Sequence, residues 1–136
     1  METQSKTPVE IVQELIAIHS TRKEAINKLK EKQFKGNVAT RLPTIAEQSD
    51  QFISELMNEL SNFGDAVQGD VNRENEYQGM WKNTLANIDT LSQQECEQTL
   101  EKSEQSLKKI YRNTLDTAFE LPASFKEILI KQETKL

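Results

Sequence analysis

In the stretch EKSEQSLKKIY (101–111), Glu101 and Glu104 stand three residues apart and Tyr111 follows Glu104 by seven. On a helix, acids at that spacing are one part of a carboxylate-bridged di-iron centre. Such a centre draws a Glu from each of two helices and a Glu-x-x-His pair from each of two others. Imidazole nitrogens complete the coordination of borderline metals. The chain has one histidine, His19, and no Glu-x-x-His. A complete di-iron site is therefore excluded. Iron or manganese has one remaining opening, a degenerate site built from Glu104, Glu59 and His19. Even that site carries a difficulty, because Arg22 follows His19 by three residues and its permanent charge repels a divalent ion.

Other chemistries fare worse. The single cysteine, Cys96, rules out an internal disulfide and any multi-cysteine zinc site. Cys96 falls on an apolar helix face, where a small thiol packs more often than it reacts. No Ser or Cys occupies a nucleophile elbow, and one histidine leaves little scope for a triad. Gly64, Gly69 and Gly79 form neither GxGxxG nor a P-loop. No catalytic residue is assigned.

Helical geometry decides which polar side chains share an inner face. On the helix expected over 93–118, the apolar direction is set by Cys96, Leu100, Leu107, Tyr111, Thr114 and Ala118. Glu104 falls about 50° from that direction, Glu97 about 70° and Glu101 about 110°. Glu104 is thus the acid expected to point inward, and Glu101 is expected on the surface. On the first helix Arg22 lies near the centre of the stripe Ile11, Leu15, Ile18, Ile26 and Leu29, with His19 about 60° to one side. On the second, Ser49 is central, Glu59 lies about 65° off and Glu55 about 105° off. The last helix offers Gln132 on its inner stripe and no inward acid. A buried carboxylate is costly unless paired. The arrangement therefore predicts an interior polar cluster of His19, Arg22, Glu104 and Tyr111, with Arg22 as counter-ion to Glu104 and Glu59 as a second candidate acid. In the competing reading these side chains snorkel to the edges of the bundle.

The elements that must position these residues follow from caps and periodicity. Thr7, Pro8 and Glu10 make a capping box with proline at the first helical position. The helix is expected to run to about 34 and to stop before Gly36. A second helix is expected over about 42–63, ending at Phe63-Gly64; Pro43 fits its first turn and would kink a longer helix. Residues 64–71, GDAVQGDV, read as loop. A third helix over about 72–88 carries Tyr77, Met80 and Trp81; Ser92 with Glu95 caps a fourth over about 93–118; Pro122 opens a fifth over about 123–134. Helices in this order, all-α in one domain over 1–136, predict an up-down four-helix bundle with a long crossover that carries a short extra helix. Trp81 would anchor the crossing segment.

Bulk composition sets the remaining bounds. The chain is 35% hydrophobic and 29% charged with a formal charge of −5, a balance that disfavours a nucleic-acid binder because phosphate needs clustered Lys and Arg. The basic run from Arg22 to Lys35 is interrupted by Glu24 and Glu31 and reads as a solvated face. No apolar run approaches the ~20 residues of a membrane span, and METQSKTPVE has no signal-like apolar core. A cytoplasmic location with reduced Cys96 is expected.

Several of these segments carry a family likeness. QFISEL (51–56) followed by NFG (62–64), Trp81 ahead of Leu85, Glu101-x-x-Glu104 with Tyr111 and Leu115 after it, and LP at 121–122 resemble, in order, an uncharacterised bacterial family of small ferritin-like proteins. The resemblance implies a ferritin-like helical bundle from a bacterial cytoplasm. It carries only Glu101 and Glu104 onto the acidic positions of the wider di-iron group. The expected function is non-enzymatic and acts through contacts with another protein or a second copy, in a stress- or envelope-related setting. No cofactor is expected, and Tyr77, Met80 and Trp81 form the candidate contact surface. The alternative is a metal-binding or redox protein using Glu104, Glu59 and His19.

Overall fold

The computed structural model describes residues 7–62, 75–117 and 121–136. The described residues form five α-helices and one 3-10 turn: α1 (Pro8–Lys30), α2 (Gly36–Asn62), α3 (Glu76–Ala86), the turn Ile88–Thr90, α4 (Gln93–Thr117) and α5 (Ala123–Lys135). The all-α expectation is met. Phe63, Gly64, the stretch 64–71, the expected third-helix start at 72 and Ala118 lie outside the described residues.

Two capping boxes form as the sequence predicts. Thr7 Oγ1 accepts from the Glu10 amide at 3.1 Å while Glu10 accepts from the Thr7 amide at 2.9 Å. Ser92 and Glu95 repeat the exchange at 3.1 and 2.9 Å. A third box, unforeseen, joins Asn75 and Gln78 at the start of α3. An amide side chain at the third helical position closes this reciprocal pair as well as an acid does.

The α1–α2 junction departs from expectation. α1 ends at Lys30 rather than about 34, and the chain reverses at Gln33, whose φ of 59° is left-handed without glycine's freedom. Gly36, expected to stop α1, instead opens α2 at φ 65°. α2 therefore begins six residues before Leu42 and holds Pro43 in its interior. Packing explains why it tolerates the proline. Val38 and Leu42, one turn apart, are both buried, and Pro43 and Ala39 are exposed, so the Ala39 carbonyl that loses its donor is open to water. The junction is also held from outside. Gln93, at the start of α4, accepts from the Lys35 amide at 3.0 Å and donates to the Lys35 carbonyl at 2.9 Å.

Contacts between elements give their directions. α1 ends at Lys30 and α2 begins at Gly36, and the two helices pack side by side at His19–Ser49 and Lys23–Asp50, so a connection this short makes them antiparallel. Gln78 reaches Thr21 and Lys32 reaches the Asp89 carbonyl, so α3 and the turn after it run with α1. Ser124 reaches Glu59 and Gln132 reaches Glu55, so α5 runs against α2. α3 lies between the C-terminal half of α1 and the first half of α4, joined to α4 by Tyr77 and Ser103 at 2.8 Å. α5 covers the C-terminal half of α2 and the end of α4, where Tyr111 meets Gln132. The core between them is continuous, from Ile11 and Leu15 through Phe52 and Leu56 to Trp81, Leu107 and Leu129.

Among the described residues no helix is long and apolar enough to cross a membrane.

Candidate interior polar site

Among the described residues, six polar side chains lie inside this apolar core: His19, Arg22, Ser49, Glu59, Ser103 and Gln132. Four of them, with Tyr111, form one connected chain drawn from α1, α2, α4 and α5. Arg22 Nη1 donates to Ser49 Oγ at 3.2 Å and to Gln48 Oε1 at 2.8 Å. Ser49 Oγ lies 3.3 Å from His19 Nδ1, and His19 Nε2 lies 2.7 Å from the Tyr111 hydroxyl. The Tyr111 hydroxyl donates to Gln132 Oε1 at 2.5 Å. Gln132 Nε2 then donates to Glu55 Oε1 at 2.9 Å and to the Phe52 carbonyl at 3.3 Å.

The donor assignments fix the histidine tautomer. Tyr111 has one hydroxyl proton and gives it to Gln132, so it must accept from His19 Nε2–H. His19 Nδ1 is then the acceptor and takes the Ser49 proton, leaving Ser49 to accept from Arg22. Every bond points the same way, from the Arg22 guanidinium to the Glu55 carboxylate.

Electrostatics keep His19 neutral. Burial first and the adjacent Arg22 charge second lower its pKa from 6.5 to about 3. Phe52 packs edge-on against the ring at a centroid distance of 5.2 Å. Burial likewise pushes the Tyr111 hydroxyl well above its ordinary value, so it acts as a hydrogen-bonding alcohol and not as a phenolate. Cys96 is buried and its thiol is raised to about 11, by burial first and the Glu97 charge second. It is a packing residue.

Three of the four residues expected in the interior cluster are there. His19, Arg22 and Tyr111 are buried and joined; Glu104 is not part of the chain. Its carboxylate lies 3.6 Å from Arg41 Nη2, and its side chain is 32% exposed. The expected Arg22–Glu104 ion pair does not form. The residue that turns inward beside it is Ser103, which lies about 45° from the helix's apolar direction, on the opposite side from Glu104. Both positions fit between Leu100 and Leu107, and a small hydroxyl satisfied by Tyr77 costs far less to bury than a carboxylate. Glu101 is exposed, as expected.

The metal-ligand candidates are also separated. Glu59 is buried, yet it accepts from Ser124 at 2.8 Å and Asn62 at 3.4 Å. It stands ten residues from Ser49 along α2, about 15 Å of helix. Among the described residues no three His, Cys, Asp or Glu side chains converge on one point. Tyr77 and Trp81, expected at a contact surface, turn inward instead at 3% and 0% exposure, and of the three only Met80 is partly exposed. Their i, i+4 spacing places both on the side of α3 that meets α1 and α4.

Compared with known proteins, the chain matches no protein family, no curated protein and no solved structure.

Proposed function

We propose that this chain is a ferritin-like four-helix bundle, with α1, α2, α4 and α5 as the bundle and α3 carried in the crossover, that works through protein contact. The partner is first of all a second copy of itself, in a reducing bacterial cytoplasm where Cys96 stays a thiol. The helix directions support the topology, since α2 and α4 run the same way and the segment between them must return along the bundle.

The observation that carries the functional reading is the condition of His19. The sole histidine has one ring nitrogen engaged by Ser49 and the other by Tyr111, inside a core where its protonated form is disfavoured. A side chain so committed serves the packing of four helices, which leaves the surface as the working part. Met57 on α2 and Ile130 on α5 are the large apolar side chains most exposed among the described residues, at 44% and 52%. The Gln132–Glu55 and Ser124–Glu59 contacts put these two at the same level of the α2–α5 pair.

Sedimentation equilibrium at micromolar concentration tests this. A dimer that the double variant M57S/I130S converts to a monomer, with thermal stability unchanged, is the expected result. A monomeric wild-type chain removes the self-association reading. Elemental analysis of protein purified without added metal tests the rest, because near-stoichiometric iron or manganese would overturn the reading without a metal.

A further inference from the structure

Arg22 is 1% exposed, yet only one nitrogen of its guanidinium is used. Nη1 is satisfied twice, by Gln48 and Ser49 on α2. Nε and Nη2 have no hydrogen-bond partner. These are the two nitrogens whose N–H bonds run side by side, the edge of the fork that a carboxylate matches with two parallel hydrogen bonds.

The charge of Arg22 is as poorly matched as its donors. Burial lowers its pKa from 12.5, but an arginine stays protonated near neutrality. The carboxylate it senses most, Glu104, is turned to Arg41 at 3.6 Å. Glu55 and Glu59 are engaged by Gln132 and Ser124. Of the groups around it, Tyr77 is bonded to Ser103, Tyr111 to His19 and Gln132, and His19 is neutral. A water molecule could accept from Nε and Nη2 but would leave the buried cation without a counter-charge, which is the larger cost.

We propose that the Nε–Nη2 edge of Arg22 is a binding site for a small carboxylate of formate or acetate size, enclosed where α1 meets α3 and α4. The anion accepts two parallel hydrogen bonds and neutralises the guanidinium. Full enclosure sets the size limit, since a side chain this buried leaves no open path for a bulky tail. The site is independent of whether the chain self-associates.

Thermal unfolding of the full chain in sodium formate, acetate, chloride and gluconate at one ionic strength tests it. Formate and acetate are expected to raise Tm saturably and gluconate to leave it unchanged. R22Q should abolish the rise, and E104Q should retain it. Should R22Q fail to fold, the Arg22 Nε–H resonance of the wild-type chain, followed through a formate titration, carries the test: a saturable shift supports the site and a fixed resonance overturns it. Equal Tm in all four salts would also overturn it, as would a chloride response equal to that of formate or a rise that persists in R22Q. A crystal structure grown with formate should show the carboxylate on Nε and Nη2; water or Glu104 in that place would refute the proposal.

Discussion

At the scale of single residues, the interior chain makes His19 a one-way sensor of acid. Its pKa is about 3 when folded and 6.5 when unfolded. Between those values the unfolded chain binds a proton that the folded chain refuses, so stability falls as pH drops below 6.5 and is unaffected by this group above it. The loss should approach about 1 kcal/mol per pH unit. Urea midpoints measured between about pH 7 and about pH 5, before most carboxylates titrate, should show this slope, and H19Q should flatten it. Tyr111 tests the same chain from its other side. Y111F removes the acceptor for His19 Nε2 and the donor to Gln132 while keeping the ring, and should cost about 1–3 kcal/mol in chemical denaturation.

At the scale of elements, the α1–α2 junction holds two backbone conformations that the residues there do not favour. Gln33 sits at a left-handed φ of 59°, where a side chain is strained. Q33G should relieve that strain and leave a net gain of up to about 1 kcal/mol after glycine's own entropic cost. Pro43 lacks the amide that would bond the Ala39 carbonyl inside α2. P43A should raise stability by about 1 kcal/mol or more; a loss would mean that the proline's fixed φ helps to seat Val38 and Leu42. α3 depends on the opposite balance. It has 11 residues, too few to persist without tertiary packing, and Tyr77 and Trp81 supply its buried face. W81A should cost about 3–5 kcal/mol and release α3 from α1 and α4, read as early hydrogen exchange of its amides.

At the scale of the whole molecule, the arrangement divides labour between an interior whose polar groups brace four helices and a surface that carries ion pairs beside the exposed Met57 and Ile130. Its surface ion pairs, such as Lys23–Asp50 at 2.7 Å, contribute little to stability. Raising sodium chloride should therefore barely move the unfolding midpoint, whereas the M57S/I130S variant should change the sedimentation profile without changing that midpoint.

The sequence by itself determined what depends on local geometry. Both Thr7–Glu10 and Ser92–Glu95 boxes, the inward stripe of α4 at Cys96, Leu100, Leu107 and Tyr111, and the central placing of Ser49 and Gln132 follow from spacing alone. Arg22 and His19 were also legible as interior residues, because each lies on or near the α1 stripe. Only the tertiary structure decided between side chains that local geometry leaves equal. Ser103 and Glu104 flank the same apolar direction at similar angles, and Ser103 won because Tyr77 on another helix satisfies its hydroxyl while Arg41 draws Glu104 outward. Gly36 read as a stop and Pro43 as a start for the same reason: propensity describes one chain segment, and the burial of Val38 and Leu42 outweighed it. The partners of Arg22 lie furthest from local inference, since helix phase points a guanidinium inward but only packing decides which of its nitrogens are satisfied.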